Sequence, residues 1–172
     1  VAAAEHSAGS ALDAADVALL LARAKAEDVA AALDAGGDVT SSALVLGCDS
    51  VLELDGEVHG KPADAAEATA RWRRMRGRSG TLHTGHWLLD LRDGDAGGTA
   101  GMVGGTASTV VHFADLGDDE VDAYVATGEP LRVAGAFTID GLGGPFVTGI
   151  EGDPHNVVGV SLPLVRELLG EL

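Results

Sequence analysis

Two short motifs, one acidic and one basic, are the residues of this sequence best suited to chemistry. An apolar run from Ala43 to Gly47 leads into Cys48-Asp49-Ser50, and a short hairpin later the chain reads Gly60-Lys61-Pro62. A carboxylate at the end of a buried strand can hold a divalent cation or orient a water molecule, and a lysine in the next loop can contact phosphate oxygens. The pattern predicts a site for a polyphosphate and a metal ion. The structural alternative is that Asp49 only caps a turn.

The basic residues are distributed unevenly along the chain. Lys25 and Lys61 are the only two lysines, whereas arginines crowd between Arg71 and Arg78. A lysine that remains where arginine serves most cationic positions suits phosphate contact, because its ammonium is compact and rotatable. The scarcity of lysine fits equally well with the alternative that both are ordinary surface lysines. The arginine cluster falls at the end of a predicted helix, where cations complement the helix dipole and are expected to be solvated.

Composition narrows the class of protein. The chain has 172 residues, of which 46% are hydrophobic, enough for a globular domain with its own core. Eleven basic residues face 27 acidic ones, and the net charge of −16 disfavours binding to a nucleic acid. The single cysteine, Cys48, requires no oxidising compartment and is expected to be a small core residue. No signal peptide or membrane-spanning stretch is visible, so we expect a cytoplasmic protein without a membrane partner.

The first half of the chain predicts a helix, a hairpin and a second helix. Apolar spacing indicates a helix over Asp16–Leu33, with Asp16 as its N-cap and Gly36-Gly37 as its stop, so Lys25 points away from the packed face. Ala43–Leu54 is interpreted as a strand interrupted at Asp49, and Asp55-Gly56 as the hairpin turn that returns the chain through residues 57–59.

The second helix begins at Asp64, which has Glu67 three residues later, and it runs to about Met75 with Trp72 in the core.

The second half predicts two long strands and two more helices. Thr81–Arg92 and Thr106–Ala114 are β-prone, and they should pair antiparallel across a glycine-rich loop that includes Gly104-Gly105. Gly117–Ala126 and Ser161–Leu169 are predicted to be helices. One further strand is predicted between the glycine-dense passages at 134–137 and 141–144.

Several familiar chemistries are disfavoured. His83 and His86 are three residues apart on a strand, so they face opposite sides of the sheet and cannot readily share a zinc ion. The glycines of 141–144 lack the strand, turn and helix order of a dinucleotide site, and we interpret them as a bend between strands. No serine has an evident histidine and acid around it, which leaves covalent catalysis without support. Metal-assisted attack of water on a phosphate fits the remaining acids and lysines best.

Six motifs in chain order resemble the Maf family of nucleoside triphosphate pyrophosphatases. They are Gly47-Cys48-Asp49-Ser50, Gly60-Lys61-Pro62, His83-Thr84-Gly85, Tyr124 with Gly128-Glu129-Pro130, Ala134-Gly135-Ala136-Phe137, and Gly152-Asp153-Pro154 with Asn156-Val157-Val158-Gly159. The similarity covers nearly the whole chain from Lys25 onward. It implies an elongated α/β fold like that of the inosine triphosphatases, with a mixed sheet, flanking helices and two lobes around a cleft. It also implies a protein that is often a homodimer.

The resemblance implies hydrolysis of a nucleoside triphosphate to the monophosphate and pyrophosphate, in order to remove non-standard nucleotides. Asp49 matches the family's proton acceptor and would also help to hold Mg²⁺ or Mn²⁺, while Lys25 and Lys61 match its phosphate-contacting lysines. Ser50 and Asp140 stand where pyrimidine-preferring members carry threonine and glutamine. These two positions are therefore expected to bind the substrate, with the base preference left open, because an ionised aspartate accepts hydrogen bonds and an amide also donates them.

Family members open with a strand and a Ser-x-x-Arg phosphate loop, followed by an acidic metal-binding residue, and these would lie before Val1. We therefore expect residues 1–172 to form a single Maf-like domain without its first strand and phosphate loop. Glu5 falls too late to replace the acid. The alternative function is a nucleotide-binding regulator of septum formation and cell division that does not turn its ligand over. A folded but inactive fragment is the third reading.

Overall fold

The framework of the structure, a computed structural model that describes residues 12–35 and 43–172, is one twisted sheet with helices on both faces. The strands are β1 (Leu44–Leu54), β2 (Glu57–His59), β3 (Ser79–Asp90), β4 (Met102–Phe113) and β5 (Val147–Glu151), in the spatial order β2-β1-β3-β4-β5. The helices are α1 (Ala14–Ala35), α2 (Ala65–Met75), α3 (Asp118–Ala126), α4 (Pro154–Val158) and α5 (Leu162–Glu171). None of these described helices is both long enough and apolar enough to cross a membrane.

The predicted α/β class with flanking helices is confirmed. The resemblance implied a mixed sheet, but each of the four pairings between described strands is antiparallel. The division into two lobes around a cleft stays a prediction.

The larger core lies on the face of the sheet that α2 and α3 cover. Trp72 of α2 is fully buried at its centre, with its ring edge-on to Phe113 and Tyr124 at centroid distances of 5.7 and 5.6 Å. Its indole nitrogen donates a hydrogen bond of 2.7 Å to the carbonyl of Ala136, so the ring's polar group is satisfied inside the core. The prediction that Trp72 anchors the core is confirmed.

The opposite face carries α1, which lies unusually close to the sheet. Four alanines spaced four residues apart form the buried stripe of this helix, and they are Ala14, Ala18, Ala22 and Ala26. Under that stripe lie Gly47 of β1 and Gly85 of β3. A Cβ atom at Gly47 would overlap the carbonyl oxygen of Ala22, and one at Gly85 would overlap that of Ala18. Only glycine on the sheet permits a backbone-to-backbone approach of this kind.

The first helix begins earlier than the sequence predicted. Its cap is Asp13, whose carboxylate accepts a hydrogen bond of 2.8 Å from the backbone N–H of Asp16, so the prediction of Asp16 as the N-cap is wrong. Asp13 and Asp16 lie three residues apart at the start of the helix, and an aspartate at either position can cap a helix. The spacing of the apolar residues therefore did not show which of the two is the cap. The predicted stop at Gly36-Gly37 lies outside the described residues.

The other predicted helices begin where the sequence indicated, whereas the short helix α4 was not predicted. Asp64 caps α2 by accepting from the N–H of Glu67, and the Glu67 carboxylate accepts in return from the N–H of Ala63. Helix α3 begins after Gly117, and α5 begins after the cap Ser161. These predicted helices are confirmed.

Strand β1 is continuous, which corrects the predicted interruption at Asp49. Asp49 lies in the middle of the strand and pairs with Gly85 of β3. The predicted hairpin turn is confirmed, because Asp55 and Gly56 both have positive φ angles, of 54° and 76°. Such angles belong to the two-residue turns that match the twist of paired strands.

Two glycine-rich segments differ from their predicted roles. Strand β4 begins at Met102, so Gly104 and Gly105 belong to the strand and not to the preceding loop. A Cβ atom at Gly104 would overlap the ring of Trp87 on β3, so this glycine makes room for an aromatic ring. The strand predicted between residues 137 and 141 does not form, and the chain there is irregular, between short 3₁₀ turns at Ala134–Ala136 and Gly144–Phe146. Strand β5 was not predicted.

His86 connects the middle of β3 to the start of α5. It is fully buried, its Nδ1 donates to the carbonyl of Thr84 at 2.9 Å, and its Nε2 accepts from the N–H of Ser161 at 2.8 Å. Burial lowers the pKa of His86, against a smaller raising effect of the hydrogen bond to Thr84. The ring is therefore neutral in the folded protein at neutral pH.

We expect Gly85→Ala to destabilise the fold by about 3 kcal/mol, at the upper end of overpacking costs, because its new methyl group meets backbone and cannot be relieved by a side-chain rotation. Urea unfolding would measure this as a lower midpoint at an unchanged slope. Gly170→Ala is the matched control: nothing lies within 4 Å of its Cβ position in α5, and it should be neutral or stabilising. A Gly85→Ala protein as stable as the wild type would contradict the close approach.

The lowered pKa of His86 predicts acid sensitivity. The unfolded chain takes up this proton near pH 6.5 and the folded chain does so only at lower pH, so the contribution of neutral His86 to stability is complete above 6.5 and is lost as the pH falls below it. Between pH 7.5 and 5.5 the wild type should lose up to about 1 kcal/mol more free energy of unfolding than His86→Gln. Equal losses in the two proteins would exclude this role. His59, whose pKa burial also lowers, titrates in both proteins and cancels.

Candidate active site

The open edge of β1 borders a cavity of about 770 Å³. Strand β2 pairs only with Leu52–Leu54, so among the described strands the rest of β1 has a neighbour on one side only. The volume lies within the range of pockets that hold small molecules. The cavity wall combines α1, β1, the loop after β2, the segment at 133–140 and the end of α4.

All five site residues proposed from the sequence line this one cavity: Lys25, Asp49, Ser50, Lys61 and Asp140. They come from four separate parts of the chain, with Lys25 on α1, Asp49 and Ser50 on β1, Lys61 after β2, and Asp140 in the segment before β5. The structure therefore brings together every residue that the sequence proposed. Their individual roles remain predictions.

Lys25 and Asp49 form an ion pair on the cavity wall. The ammonium nitrogen of Lys25 lies 2.7 Å from Oδ2 of Asp49 and also donates to the carbonyl of Cys48 at 3.3 Å. The other carboxylate oxygen of Asp49 accepts from the N–H of Ser50 at 2.8 Å. The side chain of Lys25 is 58% exposed and that of Asp49 is 22% exposed. The pair is thus open to water, and a ligand can compete for either partner.

The loop that carries Lys61 is held from below by Arg71 of α2. The guanidinium of Arg71 donates to the carbonyl of Gly60, and the N–H of Gly135 donates to the same oxygen at 3.2 Å. Arg71 also pairs with Glu67 and is only 5% exposed. The prediction that the arginine cluster is merely solvated is therefore wrong for Arg71. A buried guanidinium needs several acceptors, and the Gly60 carbonyl is one of them.

A chain of hydrogen bonds connects two walls of the cavity through the core. Ser50 Oγ and Thr84 Oγ1 are 2.7 Å apart, and Thr84 donates its proton to the carbonyl of Asn156 at 3.2 Å. Thr84 and Asn156 are both fully buried. The Asn156 amide in turn donates to Leu82 and Thr109. Ser50 and the middle of α4 are thereby fixed to one another.

Thr84, Arg71 and Asn156 help to hold the cavity walls in place, and the sequence analysis proposed none of them as a site residue. Thr84 and Asn156 fall inside motifs that carried the family resemblance, and that membership was the available signal. Arg71 had no signal of its own, since the sequence does not show which arginine of the cluster faces inward.

Cys48 is half-buried on the cavity wall, where the sequence had predicted a small core residue. Burial raises the pKa of its thiol to about 11, and the nearby Lys25 only partly offsets this. The thiol is protonated at neutral pH, and a nucleophilic role has no support.

Two cross-strand series of serine, histidine and glutamate correct the expectation that no serine has a histidine and an acid beside it. His83 lies between Ser108 and Glu53 at 2.7 and 3.0 Å. The second series comprises Ser79, His112 and Glu151, at 2.6 and 2.8 Å. Both cross three adjacent strands and neither lines the cavity. The same arrangement occurs twice across paired strands, and we interpret both series as side-chain hydrogen bonds that join neighbouring strands.

The oxygen donors of the cavity fit a metal ion that arrives with a phosphate ligand. No group of three or more histidine, cysteine, aspartate or glutamate side chains among residues 12–35 and 43–172 could hold a metal by itself. Asp49 offers carboxylate oxygens to the cavity, and Mg²⁺ in proteins is commonly bound by one or two carboxylates together with substrate phosphates and water. The donor set therefore suits a shared Mg²⁺ or Mn²⁺ ion.

Comparison with known proteins identifies the family of this chain. A family model described as Maf-like protein matches residues 2–172, and the chain therefore belongs to the Maf-like family. A Salinispora tropica protein named nucleoside triphosphate pyrophosphatase is 61% identical over 157 residues, which make up 91% of this chain and 66% of that protein. Relatives with the same name from Streptomyces avermitilis and Mycobacterium marinum are 58% and 49% identical, over 92% and 94% of this chain and 71% and 74% of their own lengths. The chain thus spans about two thirds to three quarters of these relatives.

We expect Thr84→Val to cost about 1–3 kcal/mol in the free energy of unfolding, because it removes two hydrogen bonds, one to the hydroxyl of Ser50 and one to the carbonyl of Asn156. The Asn156 carbonyl would keep only the N–H of Gly159 as a donor. Chemical denaturation would measure the loss. Thr148→Val is the control, since Thr148 makes only a 3.3 Å bond to His112 and is exposed, and its effect should stay within about 0.5 kcal/mol. A Thr84→Val protein that matched this control would show that the connection between the two walls contributes nothing.

Proposed function

We propose that this protein hydrolyses nucleoside triphosphates to the monophosphate and pyrophosphate. The observation that carries the proposal is the cavity itself, in which both lysines of the chain and the carboxylate of Asp49 face one space. Two ammonium groups and one carboxylate are what a triphosphate and an attacking water require. The name that three relatives share, nucleoside triphosphate pyrophosphatase, supports the same reaction.

Asp49 would act as the proton acceptor for the attacking water. In the structure its carboxylate is paired with Lys25, so the first event on binding is an exchange of partners. A triphosphate offers Lys25 a more highly charged partner, and the move of the ammonium to a phosphate oxygen leaves Asp49 free to accept a hydrogen bond from water. Lys61 would contact the same phosphates from the loop that Arg71 supports, and together the lysines would stabilise charge on the departing pyrophosphate.

Asp49 would also share the divalent cation with the substrate phosphates. When bound, Mg²⁺ or Mn²⁺ neutralises phosphate charge and polarises the bond that breaks. Ser50 and Asp140 would contact the nucleotide elsewhere in the cavity. We further propose that the substrates are non-standard or surplus nucleotides, that the protein acts in the cytoplasm, and that it forms a homodimer without a nucleic-acid or membrane partner.

The test is pyrophosphate release from a panel of canonical and modified nucleoside triphosphates with Mg²⁺ or Mn²⁺. We expect turnover by the wild type and a loss of about 10²- to 10⁴-fold in kcat for Asp49→Asn, which keeps the shape of the side chain and removes the proton acceptor. Asp55→Asn is a matched control, because Asp55 also pairs with basic side chains but lies at the hairpin turn away from the cavity.

Two results would refute the mechanism or the function. If Asp49→Asn turned over substrate at the wild-type rate, Asp49 would not be the proton acceptor. Nucleotide binding with metal but without pyrophosphate release would favour the alternative, a nucleotide-binding regulator of cell division. A version extended at its N-terminus, assayed in parallel, separates that alternative from an inactive fragment.

A further inference from the structure

A single carboxylate organises the segment that carries Thr138 and Asp140 to the cavity. Glu129 lies in the 3₁₀ turn after α3, and it does not itself line the cavity. Its Oε1 accepts from the hydroxyl of Tyr124 at 2.8 Å, from the hydroxyl of Thr138 at 2.6 Å and from the N–H of Gly143 at 2.9 Å. Its Oε2 accepts from the N–H of Leu142 at 2.8 Å. Four donors thus converge on one side chain.

The glycines of this segment allow it to wrap around the carboxylate. A Cβ atom at Gly141 would lie 2.6 Å from Oε2 of Glu129, and one at Gly143 would overlap the hydroxyl of Tyr124. These close approaches account for the glycine-dense passage at 141–144, which the sequence suggested was a bend between strands. The passage is a loop closed upon a half-buried acid.

Glu129 stays ionised in this environment. Burial by itself would raise the pKa of Glu129, but the hydrogen bonds from Thr138, Leu142, Tyr124 and Gly143 together outweigh it and lower the pKa to about 2. Burial and the neighbouring carboxylate raise the pKa of the Tyr124 hydroxyl, which therefore remains a donor. Charge-assisted bonds of this kind are stronger than neutral ones, so the segment is held in one shape.

Two of the residues that this arrangement fixes line the cavity. Thr138 donates directly to Glu129 and lines the cavity, and Asp140 lies between Thr138 and the Leu142 N–H that Glu129 also binds. Both ends of the 138–142 stretch are therefore held by one carboxylate. Asp140 makes its approach to the cavity from the middle of that stretch.

We propose that Glu129 is a positioning residue for nucleotide binding, which fixes Thr138 and Asp140 against the nucleotide. This inference rests on the proposed function, since it assumes that the cavity binds a nucleotide. Asp49, Lys25 and Lys61 stand on other elements, so loss of Glu129 should weaken binding and leave the chemical step nearly unchanged. The expected signature is a change in KM without a matching change in kcat.

The experiment compares Glu129→Gln with the wild type, using the nucleoside triphosphate that the wild type hydrolyses best. Glutamine keeps the length of the side chain, but its amide nitrogen cannot accept the hydrogen bonds that one carboxylate oxygen received. We expect KM to rise about tenfold while kcat changes by less than about threefold. Glu120→Gln is the matched control, because Glu120 accepts from the N–H of Gly117 at the start of α3 and does not line the cavity.

A double variant tests whether Glu129 acts through Asp140. If it does, Glu129→Gln should raise KM much less in an Asp140→Asn background than in the wild type, since the contact it positions is already altered. A merely structural role would lower the thermal midpoint and leave KM unchanged in both backgrounds. Unchanged KM in Glu129→Gln, or a fall in kcat alone, would overturn the proposal.

Binding of an α,β-imido nucleoside triphosphate, measured by calorimetry, separates this inference from the proposed reaction. A wild type that binds the analogue but releases no pyrophosphate would refute the reaction, while a tenfold weaker Kd in Glu129→Gln would still support the positioning role. Equal Kd values in the two proteins would refute the positioning role, whatever the turnover. A wild type that binds no nucleotide would refute both.

Discussion

The geometry of the candidate site depends on the contact between the backbone of α1 and two glycines of the sheet. Gly47 and Gly85 leave no side chain between the strands and the helix, and the alanine stripe of α1 adds little bulk from the other side. The helix therefore lies low enough for Lys25 to reach Asp49, which pairs with Gly85 across the strands. A wider spacing would separate the ammonium from the carboxylate.

Three polar side chains outside the cavity hold its other walls in place. Arg71 binds the carbonyl beside Lys61, Thr84 joins Ser50 to the middle of α4, and Glu129 closes the loop around Asp140. Arg71 and Thr84 are buried and Glu129 is partly so, and a buried polar group left without partners costs free energy. The need to satisfy these groups therefore restricts the cavity to one shape. An apolar core would define the positions of the same loops less sharply.

Apart from the cap of α1, signals that operate within a few residues were readable from the sequence, and signals that depend on distant partners were not. The turn at Asp55-Gly56 and the cap at Asp64 are local, and both were predicted correctly. Gly104 was predicted to be a loop residue, and the glycines at 141–144 to form a bend. A glycine that makes room for Trp87 or Glu129 cannot be distinguished in the sequence from a glycine that forms a turn. The resemblance to the family grouped the five site residues. The ion pair between Lys25 and Asp49, and the hydrogen bonds that hold the cavity walls, became visible only in the folded structure.

The charge of the protein sets a condition on the proposed ligand. A net charge of −16 opposes a triphosphate at long range, yet at physiological salt such interactions are screened beyond about 8 Å. Binding is then decided by the charges nearest the cavity, where Lys25 and Lys61 meet Asp49 and Asp140. Two cations against two acids leave no local excess of positive charge for a triphosphate. A divalent cation that entered with the phosphates would supply that excess, so we expect the metal and the substrate to bind together.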